Sequence, residues 1–422
     1  VGVLLAAYVL SFLDRQIVSL LVEPMKHDLA LSDTQISLLQ GLAFSICNGI
    51  GGLPLGRLVD TRRRFSIVSA GIAFWSIMTA LCGVANRFCS LFLCRMGVGV
   101  GEASLTPAAY SLICDAVAPK RIGLALGIFT IGVHVGSGLA LILGATLIAA
   151  LLHSPPPDLP LIGTLRPWQA VFWLVGAPGL IVSLWALTVR EPARQGLSSP
   201  LDPPPPLSAA LGYLRSNTGA LAAVYLCMAF SAMASYSTNA WAVSMLIRTY
   251  GWSAVQAGHS YGLVVIAAGA LGVVSGGALG DAASARGWPG GRLRVMAAAA
   301  AAAIPFALIA PLAETPEAAL TRLAPMIFFI TMVVGLGPSA LQELVPNQVR
   351  GMATSIGVLV VNLIGLGIGP TSIALVTDYW LQDEHQLRYA LAALLPVMLL
   401  ISATIGFSGV TQYGKTRASL AN

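Results

Sequence analysis

Apolar runs of about twenty residues recur along nearly the whole chain, and few charges interrupt them. A helix of that length crosses the hydrocarbon core of a bilayer, which is about 30 Å thick. Only helices and closed barrels satisfy their backbone in lipid. Barrel strands would be about ten residues long and would alternate in polarity, so runs this long predict helices. Charged residues make up 9% of the 422 positions, where soluble domains carry about 25%. A soluble protein with so little charge could not cover its surface, which excludes an ordinary soluble enzyme.

The runs predict an all-α membrane protein with twelve transmembrane helices. They lie at roughly 1–22, 35–58, 65–85, 88–114, 121–151, 168–189, 217–247, 256–280, 293–312, 321–343, 351–377 and 387–411. An even count places both termini on one side. With that side cytoplasmic, its loops hold fifteen Lys and Arg against six on the other, the bias expected of cytoplasmic loops. Both termini are therefore expected in the cytoplasm. The Ala- and Gly-rich composition suits a bacterial inner membrane. Val1 lies inside an apolar run without a signal-peptide pattern, and the natural start is expected upstream.

The formal charge of +6 sits mainly on one set of loops, so it argues for topology and not for a nucleic-acid partner. The six cysteines show no C-x-x-C spacing and lie in or beside apolar runs. They read as packing residues, with no metal site and no cofactor expected.

The longest polar break contains Pro192, Pro200 and Pro203 to Pro206, a composition that makes an extended spacer. It divides the chain into a six-helix bundle over 1–189, a cytoplasmic linker over 190–210 and a second six-helix bundle over 211–422. The halves echo each other. Gly56-Arg-Leu-Val-Asp60 follows the second span, and Gly277-Ala-Leu-Gly-Asp281 follows the eighth. Gly123-Leu-Ala125 opens the fifth span, and Gly351-Met-Ala353 opens the eleventh. Two echoes at similar offsets indicate a duplicated unit, and repeats flanking a midplane site are a transporter architecture.

Four ionisable groups interrupt the spans: Asp14 and Arg15 in the first, Arg95 and Glu102 in the fourth. Each is costly in lipid, by about 2.5–3.5 kcal/mol for Asp, Lys or Arg, so they are expected to face a polar cavity. Arg95 and Glu102 are two helical turns apart and share one face. A carboxylate balanced between desolvation and a nearby arginine can load and release a proton, which makes Glu102 and then Asp14 candidates for proton coupling. His134, between glycines of the fifth span, is a further candidate relay. Arg15 and Arg95 suit an anionic headgroup, because guanidinium matches phosphate geometry. The second half holds no central charge. Its polar candidates for substrate contact are Tyr236, Thr238 and Asn239 in the seventh span and Asn362 in the eleventh.

Other classes find little support. His153 and Asp158 have the H-x4-D spacing of some acyltransferases but lie in a short proline-containing loop. There is no Walker A motif and no serine-hydrolase or zinc-protease signature. Without an ATP-binding motif, secondary transport is the expected activity.

The motifs resemble those of the major facilitator superfamily. Gly56-x-x-x-Asp60 with Arg62, Arg63 and Arg64 resembles its loop 2–3 motif, and Arg95-Met-Gly-Val-Gly99 its span-four motif. Gly123, Gly132 and Gly136 follow the spacing of its span-five antiporter motif, with Ser137 where proline is usual, which suggests antiport. Leu13-Asp14-Arg15, Gly99-Val-Gly-Glu-Ala-Ser104 and Val135-Gly-Ser-Gly138 resemble the spinster branch. The resemblance implies alternating access, a gate at Asp60, Arg62, Arg64 and Asp281, and close helix packing at Gly123, Gly132, Gly136 and Gly138. It also implies a lysophospholipid or lysosphingolipid substrate such as sphingosine-1-phosphate. The expected partners are that lipid, protons and the membrane lipids, around a functional monomer. The alternative is a proton/drug antiporter in which Glu102 and Asp14 bind a lipophilic cation directly.

Overall fold

A computed structural model of the chain describes residues 2–117, 122–152, 158–159, 163–192, 207–346 and 349–421. The fold is helical almost throughout. α1 (Gly2–Leu20) is followed by two short helices, α2 (Val22–Leu29) and α3 (Asp33–Ser37), and by a π turn, Leu38–Leu42, that runs into α4 (Ala43–Thr61). Next come α5 (Arg64–Cys82), α6 (Phe88–Glu102), α7 (Leu105–Ala116) and α8 (Ile122–Leu152). A two-residue ribbon, β1 (Asp158–Leu159) with β2 (Gly163–Thr164), precedes α9 (Pro167–Thr188). The rest comprises α10 (Leu207–Ser216), α11 (Thr218–Tyr250), α12 (Ala254–Ala285), α13 (Gly291–Ile309), α14 (Pro316–Gln342), α15 (Arg350–Val360), α16 (Gly369–Leu375) and α17 (Leu387–Ala421).

Among the described residues, eleven helical segments are long and apolar enough to cross a membrane. They match eleven of the twelve spans read from the sequence. α3, the π turn and α4 occupy the remaining place. Large apolar side chains such as Ile181, Leu184, Leu93 and Leu263 are well exposed, as suits a surface solvated by lipid. The longest proline-containing part of the linker, and His153, lie outside the described residues. The side chain of Asp60 and the surroundings of Gly123 do as well.

The chain falls into two compact units. The first comprises Val1–Gly196 with Asn239–Ile266 and Ala374–Leu387, and the second holds Leu197–Thr238, Ala267–Ile373 and Arg388–Asn422. In the first, α1 packs on α8 and α5 on α9. Lipid tails are as apolar as leucine, so helix association there depends on close contact and on hydrogen bonds between helices. The α1–α8 crossing uses Gly136, where an added Cβ would lie 2.6 Å from the Val9 carbonyl oxygen. The next contact of α8 is with α12, where a Cβ on Gly138 would lie 2.6 Å from the Gly262 carbonyl oxygen and would also strike Ile266. Gly132 faces Leu5 and Tyr8 of α1. The α5–α9 pair carries a reciprocal clasp: the Ser69 hydroxyl donates to the Ser183 carbonyl at 2.9 Å, and the Ser183 hydroxyl donates to the Ser69 carbonyl at 2.8 Å.

The second unit has an apolar core around Val224, Met296, Val333 and Leu336. Buried hydroxyls tie its helices together. Tyr225 donates to the Ala353 carbonyl at 2.7 Å, Tyr413 to the Ala340 carbonyl at 2.8 Å, and Ser402 to the Cys227 carbonyl at 2.7 Å. Among its described residues no Asp, Glu, Lys or Arg is buried, whereas the first unit buries Asp14, Asp33, Arg64, Arg95 and Glu102.

Backbone faces backbone at Gly136 and cannot yield as a side chain would. Gly136→Val is expected to lower stability by about 1–3 kcal/mol, the usual range for overpacking. Thermal unfolding of the purified protein checks this, with Gly277→Val, whose added Cβ meets nothing within 4 Å, as the tolerated control.

Candidate functional site

Both carboxylates predicted within the spans lie in one buried cluster of the first unit. Glu102 is the last residue of α6 and is 2% exposed. Its Oε2 accepts from the Ser11 hydroxyl at 2.5 Å and from Arg15 Nε at 2.7 Å, with Arg15 Nη2 at 2.6 Å. Ser11 and Arg15 are one turn apart on α1, so one helix face presents both donors to one oxygen. The other oxygen, Oε1, has no hydrogen-bond partner. Arg15 is further held against aromatic faces, with its guanidinium carbon 4.1 Å from the Phe44 ring centre and 4.7 Å from that of Phe12. Cation–π contact adds attraction where water is excluded.

Asp14 lies beside this pair, also 2% exposed. Its Oδ2 accepts from the Thr79 hydroxyl of α5 at 3.2 Å, and Oδ1 has no partner. Arg95 makes no ion pair with either carboxylate. Its Nη1 donates to the Asp14 backbone carbonyl at 3.2 Å and its Nε to the Leu39 carbonyl at 3.3 Å, while Nη2 has no partner. The second carbonyl belongs to the π turn before α4. Arg95 therefore binds the backbones of two helices that a side-chain pairing scheme would have left out.

The cluster thus holds one tight pair, Arg15–Glu102, and three buried polar atoms that lack partners. A polar atom left unsatisfied in an apolar interior costs about 1–3 kcal/mol. Such sites have spare capacity for a proton or for a ligand oxygen.

The comparisons with known proteins decide the family. Residues 4–370 match the family model described as Major Facilitator Superfamily. The chain belongs to the major facilitator superfamily. An MFS-type efflux pump of Mycolicibacterium smegmatis is 30% identical over 96% of this chain and 90% of its own length. The sphingosine-1-phosphate transporter SPNS2 of Danio rerio is 31% identical over 34% of this chain and 29% of its own length. A crystal structure of a bacterial homologue of the human lysosomal transporter Spinster, inward-facing and occupied, superposes with TM-score 0.78 at 26% identity. It covers 98% of this chain and 95% of its own. This facilitator is an integral membrane transporter related to the spinster carriers.

The facilitator's remaining candidates are dispersed. His134 is half-buried on α8, and among the described residues no hydrogen bond or ion pair joins it to the cluster. Asn239 lies in the first unit, where its carbonyl accepts from Gln16 Nε2 at 2.7 Å and its Oδ1 from the Tyr261 hydroxyl at 2.9 Å. Tyr236, Thr238 and Asn362 belong to the second unit. The Thr238 hydroxyl donates to the Ala234 carbonyl of its own helix at 2.8 Å. Asn362 is buried in a π-helical stretch, Val361–Ile368. Asp281 is exposed and accepts from Arg292 Nη2 at 2.8 Å.

The run Arg62 to Arg64 splits by environment. Arg62 and Arg63 are exposed, while Arg64 is 1% exposed. Arg64 pairs with Asp115 of α7 and with Glu191 at 2.9 Å, and donates to Ser111 at 2.8 Å. This brace joins the start of α5, the end of α7 and the stretch after α9.

A second charge cluster was not anticipated by the sequence reading. Asp33, the first residue of α3, is fully buried. It accepts from Arg248 Nη1 and Nη2, in the last turn of α11, at 2.7 and 2.8 Å, and from Lys26 Nζ at 2.7 Å. Arg248 also donates to Glu23 at 2.8 Å, and Lys26 to Glu384 at 2.5 Å. Nearby, the backbone N–H and hydroxyl of Thr34 both donate to Asp378 at 2.7 Å. These contacts hold residues 239–266 and 374–387 to the α1–α3 region.

Burial alone raises the Asp33 carboxyl, but hydrogen bonds and charge from Arg248 and Lys26 outweigh it and hold the group below its ordinary value. A carboxylate lowered in this way stabilises fully above its unfolded value and loses that contribution only as pH falls through the lowered native value. The cluster is therefore expected to stay intact from about pH 8 to about pH 5, above the ordinary aspartate range. Arg248→Gln, which takes two charged donors from the buried Asp33 and leaves it Lys26, is expected to cost about 1–3 kcal/mol. Thermal unfolding across that pH range checks both: a flat wild-type profile and a lowered variant.

Proposed function

We propose that this facilitator is a proton-coupled, alternating-access carrier of an amphipathic lipid with an anionic head. A lysophospholipid or a lysosphingolipid such as sphingosine-1-phosphate fits that description. The observation that carries the reading is the buried Glu102 carboxylate paired with the part-exposed Arg15, with a spare carboxylate oxygen beside the pair. Arg15 neutralises Glu102 as long as nothing else claims the guanidinium. A phosphate head arriving at Arg15 competes for the same donors, because guanidinium forms paired hydrogen bonds with phosphate oxygens as well as with carboxylates. Glu102, released from that cation, is then the group proposed to exchange a proton. Asp14, with its own unpartnered oxygen, is the second proton site, and Arg95 keeps α1 and the π turn in register around both. The likeness of one segment to a sphingosine-1-phosphate transporter, and of the whole chain to a Spinster homologue, supports the lipid assignment.

His134 remains a proposed relay on α8. Asn239, Tyr236, Thr238 and Asn362 are proposed to contact the polar part of the substrate. Asp60, Arg62, Arg64 and Asp281 are proposed to gate the opposite end, with Arg64 as its buried brace. We place the protein in a bacterial inner membrane as a monomer with cytoplasmic termini, on the strength of the loop charges. The two six-helix halves are proposed to span 1–189 and 211–422, joined by 190–210.

The full-length likeness to an efflux pump favours a second reading. There Glu102 and Asp14 would bind a lipophilic cation in exchange for protons. Ligand charge separates the two, since an anion is held by Arg15 and a cation by the carboxylates.

The test is proton flux in proteoliposomes that contain a pH dye. On addition of an anionic lysolipid, wild type is expected to show a pH change, and Glu102→Gln to reduce it at least tenfold. Lysolipid translocation without a pH change would remove proton coupling. A pH change driven only by lipophilic cations would favour the drug antiporter.

A further inference from the structure

The first unit carries a groove of about 600 Å³ on the side of α4, α5 and α6 that the charge cluster does not use. Its walls are apolar along most of their length, formed by Leu55, Leu58, Ile67, Phe74 and Val100. Leu58, Phe74 and Val100 are among the exposed large apolar residues, so the groove opens outward. Its floor is tight: Gly71 and Gly101 line it, and a Cβ on Gly71 would lie 2.8 Å from the Gly101 carbonyl oxygen. Behind that floor Glu102 is 2% exposed, which separates the groove from the proposed proton site.

All the charge lies at one end. Arg62 and Arg63 line the groove where α4 turns into α5, with Ser66 one turn further on. Both arginines are exposed, and Arg63 also pairs with Glu191 at 3.9 Å, which accepts from Arg64 at 2.9 Å. From Ser66 to Phe74 is eight residues, or about 12 Å at the helical rise. That is most of one leaflet, since the hydrocarbon core is about 30 Å thick.

We propose that this groove binds a resident anionic glycerophospholipid of the bilayer, with its phosphate at Arg62 and Arg63 and an acyl chain along α5. Polarity, length and charge sign all match a lipid standing in one leaflet. The separation from Glu102 and Arg15 sets this lipid apart from a transported substrate. Basic groups at a membrane edge attract anionic lipid by roughly a factor of five each.

Native mass spectrometry of the full chain in detergent tests the proposal, with phosphatidylglycerol and phosphatidylcholine of identical chains as probes. Wild type is expected to retain phosphatidylglycerol at least fivefold more than phosphatidylcholine. The Arg62→Gln/Arg63→Gln double variant is expected to lose that preference. Ala70→Trp, which fills the groove and leaves both arginines in place, is expected to reduce retention of both lipids; it keeps the test decisive if the double variant misfolds. Arg286→Gln/Arg294→Gln, on the second unit, is expected to match wild type. Equal retention of the two lipids by wild type, an unchanged preference in the groove variants, or an equal loss in the second-unit control would overturn the site. Displacement of phosphatidylglycerol by a lysolipid would overturn the resident-lipid assignment in favour of a substrate entry. Failure of the transport reading leaves these outcomes unaffected, because none of them measures flux.

Discussion

A guanidinium and a carboxylate taken out of water must satisfy each other, and the Arg15–Glu102 contact meets that requirement in the first unit. The pair fixes the rotation of α1 against α6, since Ser11 and Arg15 must both face one carboxylate oxygen. Once α1 is oriented, Val9 and Phe12 meet the glycines of α8, and Asp14 meets Thr79 of α5. Arg95 then secures the α1 backbone and the π turn before α4. Replacing the pair by apolar residues could give an equally stable bundle, so its retention makes sense as chemistry and less as glue.

The second unit follows a different economy. Its described interior contains no buried charge, and it is joined by apolar packing and by hydroxyls donating to carbonyls of neighbouring helices. Such bonds are individually modest, of the order of 1 kcal/mol in membrane proteins, but they need no counter-ion. One unit therefore buries charged groups, and the other is held together without them.

Spans and buried charges were legible from sequence because each is a local property: an apolar run is read in one window, and a lone Glu102 inside it stands out. Pairing was less legible. Arg95 and Glu102 share a helix face, but Glu102 pairs with Arg15 of α1 and Arg95 with backbone carbonyls, and carbonyls leave no mark in a sequence. The Asp33 cluster was missed because Lys26, Asp33, Arg248 and Glu384 each read as ordinary loop charges. Their partners are up to 358 positions away, and only the fold brings them together. Arg64 was hidden by its neighbours, since a run of three arginines gives no sign that the last turns inward. A polar carboxylate at Asp115 and another at Glu191 were the available signals, and both lie near span ends where charges are common.

Residues Val376–Leu381, between α16 and α17, form a π-helical turn, and this has a geometric consequence for the contact between Asp378 and Thr34. An α-helix turns about 100° per residue, and a π turn accommodates one residue more than the α pattern allows. A return of this stretch to α geometry would rotate Asp378 away from Thr34 by about 100° without melting the helix. The span thus stores an angular phase, and the contact with Thr34 reads whether that phase is kept.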